Sequence, residues 1–414
     1  MTRRVLFLSN GHGEDLNASL VLKALCRIDP EIEVAAMPIV GKGNAYKRLG
    51  VKIVGPTRQL PSGGFNYINF GRFLNPVNWW RDTNPVSLLK DLLSGLISLT
   101  WRQFQAVQRY SPSCDLLFAC GDIVPILFAR LTGRPFVVFL VSTSSYYEGM
   151  VKLPWLAQWG MKSPQCLGVL TRDRYTAKDL INRGFTRTQF LGYPIMDVLA
   201  PTGKKLDIPF QAPLIALLPG SRLPEAQVNF SLMLELCQAI APLRPAHFHA
   251  ALVPSFTRDH LKTLAETDAW DASEVGMLKK RNIIVYYHYD AFADILHQCN
   301  LVIGMAGTAV EQAVGLGKPI VQIPGPGPQF TYLFAEAQMR LLGKSVITVG
   351  TRPANSKTLL SAARKIDQIL DDADYLDLCK VNGRERVGEP GGSDAIAHKI
   401  LEALDNISKE ASIV

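Results

Sequence analysis

Short apolar runs recur along this chain and alternate with stretches of helical spacing. RVLFLSN (4–10) is one such run, and DLNASLVLKALCRI (15–28) then places apolar residues three and four apart. EVAAMPIV (33–40) and VKIVG (51–55) follow, then CDLLFAC (114–120), RPFVVFLVS (134–142), CLGVLT (166–171) and TQFLG (188–192). Runs of this length, bounded by helices, predict parallel strands covered on both faces. The series then restarts with APLIALLPGS (212–221), FHAALVP (248–254), NIIVYY (282–287), CNLVIG (299–304), KPIVQIP (318–324) and SVITVG (345–350). Between the two series lies GYPIMDVLAPTGKKLDIPFQAP (192–213), Pro-containing and aperiodic, which reads as a hinge. The pattern predicts an α/β protein of two doubly wound, Rossmann-like domains facing across a cleft. The first covers 1–195, the second 210–390, and a helix over 391–414 can cross back to the first.

Residues 60–110 break this rhythm. PSGGFNYINFGRFLNPVNWWRDTNP is rich in turn residues and aromatics, and VSLLKDLLSGLISLTWRQFQAVQRY follows as a strongly apolar helix interrupted by Lys90 and Asp91. The uninterrupted part, 92–101, is too short to span a bilayer. Two readings stand open: a helix packed in the core of the first domain, or a membrane-interface surface. In the second, Phe73, Leu74, Trp79 and Trp80 dip into the interface beside Arg72 and Arg81.

At 414 residues the chain exceeds what one core usually supports, in keeping with two domains. The net charge of +8 suits anionic partners, nucleotides or anionic lipid. No compact Lys/Arg run marks a nucleic-acid arm, so nucleic acid is not an expected partner. Seven scattered cysteines without a C-x-x-C step predict buried thiols in a reducing compartment, with neither a disulfide frame nor a zinc site. The N-terminus reads as a first strand and not as an export signal. A cytoplasmic protein is expected, peripheral on the inner face of the membrane if the apolar insertion touches lipid. His247 and His249 share one face of a strand, but no third ligand is evident, and no metal or cofactor is expected.

The chemistry concentrates where strands end. In LVIGMAGTAVEQ (301–312) a strand runs into Gly-Thr-Ala and opens a helix, whose unsatisfied N–H groups and dipole favour an anion. Gly307 permits close backbone approach, the Thr308 hydroxyl can bond a phosphate, and Glu311, one turn in, can accept from a ribose diol. The same T-x-x-E letters spell a capping box, and local pattern does not choose between these. LLPGSRLPEAQ (217–227) is a second such junction: Gly220 and Ser221 can offer N–H groups, and Arg222 a planar cation suited to phosphate. Its plain alternative is a surface loop with an exposed Arg. Together the two junctions predict a diphosphate along the carboxyl edge of the second domain.

SNGHGED (9–15) is a third junction, in the first domain. Gly11 and Gly13 allow tight backbone, and His12 and Glu14 are titratable, although the G-x-G-x-x-G pattern fails at Leu16. His12 suits a general base or a hydrogen-bonded turn residue. LLFACGDIVP (116–125) puts Asp122 at the same edge, as a base for an attacking hydroxyl or as a helix cap.

With these residues in place the sequence resembles glycosyltransferases of the two-domain GT-B fold, and more narrowly lipid-A-disaccharide synthase and the group related to it. LLPGSRLPE matches that family's L-P-G-S-R motif. GTAVEQAVGLGKPIV is similar to its S-G-T-A-x-L-E segment, QFTYLFA (329–335) to its aromatic P-F-T-F stretch, and FLGYPIMD (190–197) to its G-H-x-x-x-D step. The resemblance implies that Ser221, Arg222, Gly307 and Thr308 hold a nucleotide diphosphate and that Glu311 binds the ribose. It places Gln329 near the donor-sugar hydroxyls and the segment containing Tyr289 where uracil is held. Asp122 coincides with the family's proposed catalytic Asp after a shift of one residue. SNGHGED and VSTSSYYEG depart from the family's A-G-E-x-S-G-D and S-x-W-A-W loops, both on the acceptor side. The expected activity is therefore a hexosyl transfer from a UDP-sugar to a lipid or other hydrophobic acceptor, with Asp122, His12 and Glu14 as catalytic candidates. A UDP-sugar 2-epimerase of the same fold and a non-catalytic sugar-nucleotide-binding scaffold are the alternatives.

Overall fold

Two sheets organise the protein, a computed structural model that describes residues 3–59, 92–206, 212–327 and 330–413. The chain divides into one unit comprising Met1–Asp197 and Pro390–Val414, and another comprising Val198–Glu389. In the first unit the strands are β1 (Arg4–Ser9), β2 (Glu33–Pro38), β3 (Lys52–Ile53), β4 (Leu116–Cys120), β5 (Phe136–Leu140), β6 (Cys166–Thr171) and β7 (Thr188–Gln189). They pair in parallel in the order β3-β2-β1-β4-β5-β6-β7. Their side chains are buried on both faces, Leu6, Leu8, Leu117, Ala119, Val138 and Leu140 on one of them. Such an apolar run is stable only where helices exclude water from both sides.

The second unit holds β8 (Leu214–Leu218), β9 (His247–Ala251), β10 (Met277–Lys280), β11 (Ile283–His288), β12 (Leu301–Gly304), β13 (Ile320–Gln322) and β14 (Val346–Thr348). Their order is β10-β11-β9-β8-β12-β13-β14, parallel throughout except for β10, which runs antiparallel to β11. β10 was not foreseen: MLKK carries little β-branched or alternating signal, and pairing with β11 is what makes it a strand.

In both sheets the connections depart in opposite directions from two adjacent central strands, β1 and β4 in one and β8 and β12 in the other. The connecting helices must diverge there, leaving a crevice at the carboxyl ends of those strands.

The C-terminal helix Gly392–Ile413 packs along the helix His12–Ile28 within the first unit. Gly192 and Gly392 let two backbones touch: a Cβ on Gly392 would sit 2.7 Å from the carbonyl carbon of Gly192. Asp197 accepts hydrogen bonds from the N–H groups of Gly391 (2.5 Å) and Ser393 (2.7 Å), capping the returning helix from a distant part of the chain. The segment expected as a hinge is thus anchored at both ends, each to its own unit. Beyond Asp197, the Asp294 carboxylate accepts from Thr202 Oγ1 and from the Gly203 and Lys204 amides, at 2.8, 2.9 and 3.1 Å.

The apolar stretch near residue 100 does not form one continuous core helix. Gly95 adopts φ +86° and starts a new helix, Leu96–Tyr110, of which Leu96, Gln103 and Val107 are buried. Leu93, Ile97 and Trp101 are 79, 72 and 59% exposed. One face is packed and the other is bare, so the core-helix reading holds for half of this surface only. Phe73, Leu74, Trp79 and Trp80 lie outside the described residues.

Candidate functional site

The crevice of the first unit is lined by carboxylates. β1 and β4 lie side by side with Ser9 opposite Cys120, so the residues that follow each strand meet at the carboxyl edge. Asn10 Nδ2 donates to Asp122 Oδ1 at 2.8 Å, and Glu14 is hydrogen-bonded by the hydroxyl of Ser142, which follows β5. Gly121 makes the approach possible. Its φ of +132° suits glycine, and a Cβ there would lie 3.1 Å from Asn10 Cβ and 3.5 Å from Glu14 Cγ. Gly11 is extended, and a Cβ on it would meet Glu14 Oε2 at 2.9 Å, so its small size admits the folded-back Glu14 side chain. Gly13 has open space around it and no such role. His12 opens the helix His12–Ile28, but its side chain lies outside the described part of the molecule.

Asp122 stands at the N-cap position of the helix Ile123–Leu131, yet its side chain makes no capping hydrogen bond. Burial and then the charge of nearby Glu14 push its carboxyl up to about 6, against a smaller downward pull from amides at the helix start. Behind it lies a group that sequence reasoning passed over. Ser9 Oγ donates to Asp15 Oδ1 at 2.6 Å and meets Tyr46 Oη at 2.7 Å, and all three residues are buried. Desolvation raises the Asp15 carboxyl from 3.8 to about 7, with the Ser9 hydrogen bond opposing. The folded protein therefore keeps a proton that the unfolded chain releases, and stability falls as pH rises from 3.8 towards 7. Asp15→Asn removes this contribution. Chemical denaturation across that range should show a flatter dependence on pH than in the wild type, and identical slopes would contradict the buried, proton-retaining Asp15.

In the second unit the crevice lies between the loops after β8 and β12. Gly220 adopts φ +102°, a conformation suited to glycine, and a Cβ there would lie 3.2 Å from the Met305 carbonyl oxygen. The two loops are tied together by Asn229, 2% exposed, whose Nδ2 donates to the carbonyls of Pro219 at 3.0 Å and Met305 at 3.4 Å. Ser221 and Arg222 are exposed on the first loop. On the second, Gly307 is the N-cap of the helix Thr308–Gly315 and Thr308 is its first residue, with no side-chain capping hydrogen bond. The capping-box alternative is thereby removed, since Thr308 is not the cap. The first N–H groups of this helix and its dipole face the crevice edge. Glu311 stands in the first turn, half-buried.

Another expected residue stands further along the same sheet. Tyr289 follows β11, which β9 separates from β8, and its hydroxyl donates to the Phe256 carbonyl at 2.8 Å. Gln329 lies outside the described residues. Glu225, the last letter of LPGSRLPE, accepts from the Phe330 amide at 2.6 Å, so it fixes the turn after β13. His249 Nδ1 and His288 Nε2 approach to 3.1 Å, and among the described residues no group of three or more His, Cys, Asp or Glu side chains could hold a metal ion. Nor is any described helix long and apolar enough to cross a membrane.

Comparison with known proteins gives this geometry a context. No protein-family model matches the chain. Over 232 residues it is 26% identical to the lipid-A-disaccharide synthase of Geobacter sulfurreducens, covering 52% of this chain and 57% of that one. Over 243 residues it is 22% identical to the synthase of Syntrophotalea carbinolica, covering 55% and 58%. The chain thus spans a little over half the length of these curated relatives. Among solved structures, MurG of Acinetobacter baumannii superposes with a TM-score of 0.57 at 14% identity, over 97% of this chain and 99% of that one. The UDP-GlcNAc 2-epimerase of Neisseria meningitidis, solved with UDP-GlcNAc bound, gives 0.55 at 12% identity, over 96 and 100%. The chain is related to lipid-A-disaccharide synthases and has the two-domain α/β fold of GT-B glycosyltransferases, which UDP-GlcNAc 2-epimerases share.

Proposed function

We propose that this protein is a glycosyltransferase that moves a sugar from a UDP-sugar to a hydroxyl of a lipid-like acceptor. The observation that carries the reading is the crevice at β8 and β12, where a glycine-opened loop bearing Ser221 and Arg222 is tied by Asn229 to the start of the helix Thr308–Gly315. Amide donors, a helix dipole and the guanidinium of a neighbouring loop are the kinds of group that bind a diphosphate. Glu311 in the first helical turn supplies the acceptor that a ribose diol requires.

On the first unit, Asp122 takes the proton of the acceptor hydroxyl as its oxygen forms a bond to the anomeric carbon. The bond from that carbon to the diphosphate oxygen breaks, and UDP leaves with the electron pair. Charge gathering on the leaving diphosphate is stabilised by the helix-start amides and Arg222. The raised pKa of Asp122 suits a base, because a carboxyl titrating near 6 is ionised at neutral pH yet more basic than an ordinary carboxylate.

The test is a screen of nucleotide sugars by thermal shift, followed by product analysis with and without candidate glycolipid acceptors. A transferase leaves the UDP-sugar largely intact until acceptor is added. Conversion of the donor sugar without acceptor would identify an epimerase, and failure to bind any UDP compound would defeat the nucleotide reading.

The lipid side has its own support. Ile97 and Trp101 stand one turn apart on the bare face of the helix Leu96–Tyr110, with Leu93 just before it and Arg102 alongside. An exposed tryptophan with aliphatic neighbours and a basic flank suits the interface of an anionic bilayer. Ile97→Asp with Trp101→Asp should lower flotation with phosphatidylglycerol-containing vesicles at least about tenfold, a change of about 1.4 kcal/mol. Equal flotation of variant and wild type would remove the membrane contact.

A further inference from the structure

Behind the loop after β12 runs a chain of buried amides. Thr348 Oγ1 donates to Gln322 Oε1 at 3.1 Å, and Gln322 Nε2 donates to Gln338 Oε1 at 2.6 Å. Gln338 Nε2 then donates to the carbonyls of Ala306 at 3.1 Å and Gly307 at 3.3 Å. The three side chains come from β14, β13 and the helix Tyr332–Leu342. Gln322 is fully buried and Gln338 is 5% exposed. Two neutral amides in such a core contribute little net stability over apolar side chains of similar shape, so packing alone does not account for them.

The order of donors and acceptors has one self-consistent direction. With its oxygen accepting from Thr348, Gln322 presents its NH2 to Gln338, and Gln338 then presents its own NH2 to the loop. Turning Gln338 over would set its oxygen against two carbonyl oxygens. A trans peptide is planar, with C=O and N–H pointing to opposite sides. Drawing the oxygens of Ala306 and Gly307 towards the core therefore turns the N–H groups of Gly307 and Thr308 outward, to the carboxyl edge of the sheet where Gly220 also lies. The Gly307 carbonyl also accepts from the Val310 and Glu311 amides at 3.0 and 3.4 Å, so the helix start and Gln338 hold that peptide together, whereas the Ala306 carbonyl lies ahead of the helix and is held by Gln338.

We propose that the Thr348–Gln322–Gln338 relay is a positioning device that aims the Gly307 and Thr308 amides at a nucleoside diphosphate. This rests on the nucleotide-site reading above. The residues of the relay touch no ligand themselves; they hold the donors that do. Removing the terminal NH2 frees the Ala306 carbonyl to rotate, leaves the Gly307 carbonyl to its helical partners alone, and lowers the fraction of molecules with both amides aligned.

The experiment is calorimetric titration of the full chain with UDP and, separately, with uridine, for wild type, Gln338→Met and Gln338→Glu. Met keeps the length of the side chain without its hydrogen bonds, whereas Glu keeps the acceptor for Gln322 but loses the donor to the loop. Both variants should bind UDP about tenfold more weakly while uridine binding is unmoved, since only the phosphates meet the aimed amides. Absence of UDP binding by the wild type would overturn the nucleotide-site reading itself. Wild-type binding of UDP with unchanged affinity in both variants would overturn the relay alone. So would equal weakening for UDP and uridine, which marks a general structural role. If thermal unfolding shows that the Gln338 variants do not fold, Thr348→Val removes only the far donor and should weaken UDP binding about threefold; unchanged affinity there overturns the proposal.

Discussion

Asp122→Asn is expected to lower turnover by about two to four orders of magnitude and to leave UDP affinity unchanged. Asparagine preserves the shape of the side chain but has no basic oxygen to receive the acceptor proton. UDP binding should persist because the diphosphate donors belong to the second unit. The pH profile makes the test sharper. Asp122 titrates at about 6 in the folded protein, raised first by burial and then by Glu14. The active form is the carboxylate, so kcat/KM should fall as pH drops through about 6, on the free-enzyme limb. Glu14→Gln removes the neighbouring negative charge, makes ionisation of Asp122 easier, and should move this acid limb to lower pH. A limb that stays in place in Glu14→Gln would show that the titrating group is not Asp122, and a fully active Asp122→Asn would remove the base assignment altogether.

The two-sheet architecture was legible in the sequence because each strand is a dense apolar run whose end is marked by a switch to Gly and polar residues. That switch also exposed the loops holding Asp122, Gly220 and Gly307, since local composition alone reveals a strand end. What escaped notice were residues whose partners are remote in sequence. Asn10 reaches Asp122 across 112 positions, Ser142 reaches Glu14 across 128, and Asn229 reaches Met305 across 76. Gln338 looks like any polar residue of an amphipathic helix, and only the sheet places it under the carbonyls of Ala306 and Gly307. The T-x-x-E pattern left two readings open for a different reason. The letters fit a capping box with Thr308 as the cap, but the helix begins one residue earlier than that motif requires, with Gly307 as its cap. A motif of local letters cannot register a shift of one position in where the helix starts.

Glu311→Ala is expected to weaken UDP binding by about ten- to a hundredfold, from the loss of hydrogen bonds to a charged acceptor worth about 1.5–3 kcal/mol. Two effects of this substitution oppose each other. Glu311 lies in the first turn of the helix Thr308–Gly315, so its charge also offsets the positive end of the dipole on which a diphosphate would sit. Removing it should favour an anion, but by only about 0.3–1 kcal/mol. The ribose hydrogen bonds therefore dominate when both hydroxyls are present. With 2′,3′-dideoxy-UDP that favourable contribution is absent from the start. The variant should then bind the dideoxy ligand as tightly as the wild type does, or slightly more tightly. Glu311→Gln should fall between wild type and Glu311→Ala with UDP, because its carbonyl still accepts one hydrogen bond while the charge is lost. Calorimetry with the two ligands on the three proteins separates these contributions. Equal weakening for UDP and its dideoxy analogue would assign Glu311 to the architecture of the loop and not to the ribose, whereas a reversal of sign between the two ligands is the outcome that only a carboxylate bonded to the diol produces.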